Sequence, residues 1–174
     1  YSMSDFSSWG VTPDLRLKPE VSAPGGSIYS AVLDGKYDHL SGTSMATPQM
    51  AGVSAVVLQR VQSDPLFASM SAREKVDVVQ NLIMGTARPI ADAAQETGVF
   101  YSPRKQGSGI VDALAATTSS VYPTVVGAPE QSRPKADLGD GTTGWHFDVT
   151  LHNLGAAPAT YELSSQALSE NVDG

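Results

Sequence analysis

A serine at position 44 stands where a hydroxyl group could act as a nucleophile. It lies in residues 41–48, Ser-Gly-Thr-Ser-Met-Ala-Thr-Pro, which run directly into an apolar stretch typical of a helix. The first N–H groups of a helix have no partner within it, and the helix dipole favours negative charge there, so an oxyanion formed at Ser44 would be stabilised. Gly42 leaves room for a substrate backbone to approach. The pattern is suggestive of a nucleophile for acyl transfer.

The same residues also allow a purely structural interpretation. Ser and Thr are among the preferred residues at a helix N-cap, where the side-chain oxygen accepts a hydrogen bond from the first turn. Thr43 or Ser44 could therefore do no more than cap the helix. The residue pattern by itself leaves both interpretations open.

The element that must position Ser44 is a helix that we predict from Thr43 or Ser44 to about Val61. Its apolar residues lie on nearly every face of such a helix: Met45, Ala46, Met50, Ala51, Val53, Ala55, Val56, Val57, Leu58 and Val61. A helix that is apolar all round is typically buried inside a larger body.

Short strands separated by turns are predicted before this helix, at residues 6–9, 20–23, 27–32 and 36–40. Asp34-Gly35 between the last two of them predicts a tight hairpin. The helix therefore follows a strand-rich segment, which indicates an α/β arrangement around Ser44.

After the predicted helix, the sequence indicates two further helices, then a linker or irregular strand, and then two strands. Ser71-Ala72-Arg73-Glu74 predicts a capping box at the start of a second helix that ends at Gly85. A short helix is predicted at 111–116, and the Thr-, Ser-, Pro- and Gly-rich residues 117–144 indicate a linker or an irregular strand. Alternating residues 145–152 and a further run at 159–163 predict two strands. We therefore expect two domains, 1–118 and 119–174.

Composition excludes several classes of function. The formal net charge is -7 with 11 Lys and Arg, which argues against nucleic-acid binding. No run approaches the ~20 apolar residues of a membrane helix, so we expect no membrane insertion. The chain has no cysteine, and Asp137 and Asp140 lack the spacing of a calcium loop, so we expect neither a metal nor a cofactor.

Residues 42–48, followed by Met50-Ala51-Gly52, closely resemble the nucleophile motif of the subtilisin-like serine peptidases, the subtilases. Supporting segments come in the order found in that family. Residues 6–10 resemble the strand that precedes the motif, residues 17–25 resemble its Lys-Pro-Asp and Ala-Pro-Gly stretch, and residues 107–113 are similar to the turn and short helix that close the domain.

This resemblance covers about residues 1–118 and implies the C-terminal portion of a three-layer α/β subtilase domain. Residues 119–174 resemble the beginning of the all-β, fibronectin-III-like sandwich that follows the catalytic domain in the cell-envelope branch of the family. The resemblance implies a secreted or cell-wall-associated protein.

The resemblance also implies roles for four residues. Ser44 would be the nucleophile, and its backbone N–H would be one oxyanion donor. Gly42, Thr43 and Met45 would lie close to the substrate, although Met45 could equally only fill core space.

The other members of the catalytic triad are not evident in the chain. In this family the order along the chain is Asp, His, Ser, yet His39 lacks the His-Gly-Thr context of the base, and no Asn precedes Ser44. His146 and His152 alternate with apolar residues and are predicted to face solvent. Gln49 stands where many members carry His, a position outside the triad.

We therefore expect a serine endopeptidase that hydrolyses proteins or peptides through an acyl-enzyme on Ser44. Its partners would be the substrate and an N-terminal part of the same peptidase domain, which would supply His, Asp and an oxyanion amide. Taken alone, the chain should be inactive and prone to self-association. The rival hypothesis is a non-catalytic cell-surface binding or adhesion module.

Overall fold

A computed structural model describes residues 1–95, 98–126, 133–136, 138 and 144–166. In chain order the strands and helices are β1 (Ile28–Ala31), β2 (Tyr37–Leu40), α1 (Thr43–Ser63), α2 (Ala72–Thr86), α3 (Pro103–Gln106), α4 (Ala113–Thr118), β3 (Val121–Val126) and β4 (Asp148–Asn153). None of the helices in these residues combines the length and apolar character needed to cross a membrane.

The described residues form two compact units. The first comprises Tyr1–Val53 and Arg88–Val111, and the second comprises Ser54–Ala87 and Asp112–Gln166. The first half of helix α1 therefore belongs to the first unit, and its second half belongs to the second unit.

Strands β1 and β2 form an antiparallel hairpin in the first unit. Tyr29 lies opposite His39 across the pair. Between the strands, Asp34 and Gly35 both have positive φ angles, of 62° and 66°. Residues 32–36 connect the strands: the Val32 N–H donates to the Lys36 carbonyl at 2.9 Å, and a short 3-10 turn, Leu33–Gly35, lies between them. The predicted hairpin is confirmed.

Two other predicted strands do not form. Residues 6–9 pass through a turn and a bend without entering a sheet. Within residues 20–23, Ser22 alone makes an isolated parallel bridge, with Ile110. An extended segment becomes a strand only where another segment pairs along it. Among the described residues, the segment 20–23 pairs with another segment at one residue only. The prediction is wrong for 6–9 and holds at one residue of 20–23.

A buried amide organises the interior of the first unit. Gln106 is 1% exposed, and its Oε1 accepts a hydrogen bond from the Ile90 N–H at 2.6 Å. Its Nε2 donates to the Tyr101 carbonyl, and its own carbonyl accepts from Ser22 Oγ at 3.1 Å. Among the described residues of this unit, Ile90 and Ile110 are the only buried large hydrophobic side chains. Hydrogen bonds between segments therefore contribute much of the stabilisation that an apolar core would otherwise provide in this unit.

Helix α1 forms close to the predicted range. Val57 and Val61 are buried, and the Arg60 guanidinium donates to the carbonyls of Ala116 at 3.1 Å and Ser119 at 2.6 Å. Other residues of the helix are exposed in this chain: Ala51, Gly52, Ala55 and Val56. The apolar composition of α1 predicts that the helix is buried on every face. The described residues do not bury it on every face.

The second unit has an apolar interior built on α2. The helix starts at the predicted capping box, where the Ser71 N–H donates to the Glu74 carboxylate at 2.7 Å and the Glu74 N–H donates to Ser71 Oγ at 3.3 Å. Its buried apolar residues are Val78, Val79, Leu82, Ile83 and Met84. The helix packs closely against β3, since a Cβ at Gly85 would lie 2.7 Å from the ring of Pro123.

Strands β3 and β4 form an antiparallel pair in the second unit, with Val125 opposite Val149. The predicted strand at 145–152 is therefore confirmed in its larger part, and its partner comes from the segment predicted to be a linker or an irregular strand. Residues 159–163, predicted to be a second strand, adopt no regular structure.

The two histidines of this region, His146 and His152, have different environments. His146 is exposed, as predicted. The His152 ring stacks on Tyr122 with centroids 4.4 Å apart, and its Nε2 lies 2.8 Å from Thr124 Oγ1. The prediction that His152 faces solvent is wrong, because pairing with β3 places an aromatic ring directly opposite it.

Replacing Gln106 with Leu should destabilise the protein by about 2–4 kcal/mol, because the Ile90 N–H and the Tyr101 carbonyl would lose their partner in a buried site. Denaturant unfolding measures the change. Gln59→Leu is the matched control, since Gln59 is exposed on α1. Equal unfolding free energies for the two variants would contradict the structural role of Gln106.

Glu74→Gln should remove a pH-dependent part of the stability. The Ser71 hydroxyl and, next, the Ser71 N–H hold the pKa of Glu74 below its ordinary value of 4.5. A lowered carboxyl pKa stabilises the fold above the ordinary value, and this contribution disappears as the pH falls through the lowered pKa. Unfolding measured from pH 7 to pH 2 should show the difference between wild type and Glu74→Gln shrinking in acid. The exposed Glu162→Gln should show a smaller change over this range.

Candidate active site

Ser44 lies on the exposed surface in the first turn of α1. The Gly42 carbonyl accepts hydrogen bonds from the N–H groups of Met45 at 3.0 Å and Ala46 at 3.4 Å. The N–H groups of Thr43 and Ser44 precede the first acceptor that the helix offers, so they have no partner within it. The exposed Ser44 hydroxyl therefore lies next to two backbone amides for which the described residues provide no acceptor.

The predicted substrate-proximal residues surround this position. Thr43 is exposed, whereas Gly42 and Met45 are half-buried. Gly42 has φ +155°, which favours glycine, and the Met45 sulphur would lie 3.8 Å from a Cβ placed there. In the part of the chain that the structure describes, neither Thr43 Oγ1 nor Ser44 Oγ accepts a hydrogen bond from a helix N–H, so neither side chain acts as the cap.

Residues 24–27 run alongside the start of α1 and are tied to it. The Gly42 N–H donates to the Gly25 carbonyl at 2.8 Å, and the Ser27 N–H donates to Ser41 Oγ at 2.8 Å. A Cβ at Gly25 would lie 2.7 Å from the Gly42 carbonyl oxygen and 3.3 Å from the Ala46 Cβ. The close approach therefore requires glycine at position 25.

Two features of this arrangement were not predicted from the sequence. The Gln49 amide donates to the Pro24 carbonyl at 2.8 Å, from the same side of α1 that Gly25 contacts. Ser41, which belongs to the motif only as a neighbour, receives the Ser27 N–H. Neither contact has a local pattern, because the partners are 25 and 14 residues apart along the chain.

His39 does not lie in a catalytic arrangement with Ser44. It is exposed on β2, where its Nδ1 is 3.1 Å from the Ser27 carbonyl and 3.2 Å from Ser27 Oγ. Its ring packs against Tyr29 with centroids 4.9 Å apart. No imidazole forms a hydrogen bond with Ser44 Oγ among the residues described. The general base of a triad is thus not found in this region.

The N–H groups of the first turn of α1 contribute partial positive charge near Ser44. Among the described residues, no three His, Cys, Asp or Glu side chains are grouped so that they could hold a metal. Asp137 and Asp140, considered above as a calcium loop, lie outside the described residues. Any negative charge formed at Ser44 would therefore meet the amides of the first turn.

A cavity of about 560 Å³ lies in the first unit beside the start of α1. Helix α1 contributes Thr43, Ala46, Thr47 and Met50 to its wall. The opposite wall comes from the N-terminal residues and from the segment that includes Pro24 to Gly26. Open space therefore borders part of the start of α1, next to the close contact that Gly25 makes with the helix.

Comparison with known proteins places residues 1–109 in the subtilase family, Peptidase S8. The chain is 32% identical to the C5a peptidase of Streptococcus pyogenes over 172 residues, which cover 99% of this chain and 14% of that protein. It is 36% identical to the PII-type proteinase of Lactococcus lactis subsp. cremoris over 170 residues, which cover 94% of this chain and 9% of that protein. The prenylagaramide maturation protease PagA matches with a TM-score of 0.48 and 28% identity, covering 67% of this chain and 37% of that one.

Gly25→Ala should push residues 24–27 away from α1, because the new methyl group would overlap the Gly42 carbonyl. We expect a loss of about 1–3 kcal/mol in the free energy of unfolding. Gly26→Ala is the matched control, since the nearest atom to its Cβ would be Ser4 Oγ at 4.0 Å. Denaturant titrations that give the same midpoint for both variants would show that the close approach is unimportant.

Proposed function

Because this chain belongs to the subtilase family, we propose that it carries the nucleophile of a serine endopeptidase that hydrolyses protein or peptide substrates through an acyl-enzyme on Ser44. The observation that supports this role is the exposed Ser44 hydroxyl beside two N–H groups that have no partner within α1. Relatives named as peptidase and proteinase align over nearly the whole chain.

The proposed reaction has two halves. A general base takes the Ser44 proton while Oγ attacks the substrate carbonyl carbon, and the carbonyl oxygen becomes an oxyanion that the Ser44 N–H stabilises. The intermediate collapses, the amine leaves with the proton that the base returns, and water then hydrolyses the acyl-enzyme. Gly42 leaves room for the substrate backbone, and Thr43 and Met45 lie beside it.

We propose that the base, its carboxylate partner and a second oxyanion amide come from a preceding part of the same peptidase domain. The chain spans only 14% of the length of C5a peptidase and 9% of the length of the PII-type proteinase. The first unit has few buried hydrophobic side chains, and α1 exposes an apolar row that includes Ala51, Ala55 and Val56. Such a surface suits a further layer of the same fold and favours self-association when it is uncovered.

The remaining proposals concern domains and location. We assign 1–118 to the peptidase domain, and 119–174 to a linker and the first strands of a fibronectin-III-like domain. The antiparallel pairing of β3 with β4 supports the second assignment. A secreted or cell-wall-associated protein follows from the same resemblance to the cell-envelope branch.

Ser44→Ala should abolish covalent labelling of the full-length protein by a fluorophosphonate. Loss of the nucleophile should lower kcat on a peptide substrate by roughly 10⁶-fold. Ser63→Ala, at the exposed end of α1, is the control that should keep full labelling. The 174-residue chain alone should not be labelled.

A full-length wild-type protein that takes up no fluorophosphonate, although it is folded, would overturn the catalytic proposal and favour a binding module. Labelling that persists in Ser44→Ala would place the nucleophile elsewhere.

A further inference from the structure

We propose that Gln49 is a positioning residue for Ser44. Through its hydrogen bond to the Pro24 carbonyl, the side chain holds residues 24–27 against α1 and so fixes the direction of the Ser44 hydroxyl and amide. The consequence for catalysis rests on the function proposed above, but the positioning itself does not.

The contact belongs to one continuous face of the helix. Gly42, Ala46 and Gln49 recur at the spacing of a single helical face, and each of them meets residues 24 or 25. Pro24 has no N–H of its own, and its carbonyl is satisfied by the Gln49 amide at 2.8 Å. Ser44 lies on a different face of the same turns and stays exposed. Gln49 therefore holds the helix without occupying the space of a substrate.

One backbone hydrogen bond is missing from the first turns of α1. Pro48 lies inside α1 and has no N–H, so the Ser44 carbonyl receives no hydrogen bond from the position four residues later. The bond from the Ala46 N–H to the Gly42 carbonyl is long, at 3.4 Å. The Thr47 hydroxyl instead donates to the Thr43 carbonyl at 3.0 Å. Contacts from outside the helix therefore supplement the bonds of this turn.

Three such contacts bracket Ser44 along the chain. Two come from before it, where Ser41 Oγ accepts from the Ser27 N–H and the Gly42 N–H donates to the Gly25 carbonyl. The third comes from after it, and it is made by Gln49. Without the Gln49 bond, residues 24–27 are hydrogen-bonded only to the residues before Ser44. The turn that carries Ser44 can then tilt about those remaining bonds.

The test compares Gln49→Met with Gln49→Glu. Met keeps the length of the side chain and cannot donate, whereas Glu cannot donate when ionised and regains a donor when protonated, near pH 4. Gln59→Met, on the exposed face of α1, is the matched control. Hydrogen exchange of the Gly42 amide, corrected for its intrinsic pH dependence, is measured in each protein at pH 7 and pH 3.5.

We expect the Gly42 amide to exchange about fivefold faster in Gln49→Met, the factor that a typical hydrogen bond provides, and to be unchanged in Gln59→Met. In Gln49→Glu the faster exchange should appear at pH 7 and disappear at pH 3.5. A side chain that only filled space would give no such pH dependence. Exchange that is unchanged in Gln49→Met, or equally fast at both pH values in Gln49→Glu, would overturn the proposal.

The catalytic consequence is measured separately in the full-length protein. Gln49→Met should lower kcat about fivefold with KM nearly unchanged, because the misplaced amide affects the transition state more than substrate binding. A wild-type protein without any fluorophosphonate reactivity would overturn the function proposed for Ser44, while exchange at Gly42 would still decide the role of Gln49. An unchanged kcat in Gln49→Met, with faster Gly42 exchange, would overturn the catalytic consequence.

Discussion

The hydrogen bond from the Gly42 N–H to the Gly25 carbonyl holds the residue that precedes α1 against residues 24–27, and Ser44 lies two residues further along the chain. The bond joins two glycines whose backbones approach too closely for a side chain at position 25. Thr43 and Ser44 are the first two residues of the helix, so their N–H groups have no carbonyl of the helix to bond to. The exposed hydroxyl of Ser44 therefore lies beside donors that can receive negative charge.

The first turns of α1, which carry Ser44, lack one backbone hydrogen bond. Pro48 removes a backbone bond from the first turns, and the remaining bonds there are supplemented by the Thr47 hydroxyl and by the Gln49 amide. A proline at this point leaves the Ser44 carbonyl unpaired within the helix. Contacts with residues 24–27 therefore add to the bonds of the helix near Ser44 and link the site to the surrounding fold.

The two units are stabilised by different interactions. In the first unit, Gln106 joins three separate segments through hydrogen bonds, with Ile90 and Ile110 as its buried large apolar residues. The second unit buries one face of α2 against β3 in a conventional apolar interior. A unit that depends on buried hydrogen bonds has little apolar area to stabilise it alone.

Local patterns in the sequence determined the hairpin turn at Asp34-Gly35, the capping box at Ser71, and a helix start next to Ser44, because each depends on a few consecutive residues. Tertiary structure alone decided which extended segments became strands, why His152 stacks on Tyr122, and that Gln49 reaches Pro24. The physical reason is that strand pairing and side-chain hydrogen bonds between distant segments need a partner whose position no local pattern encodes.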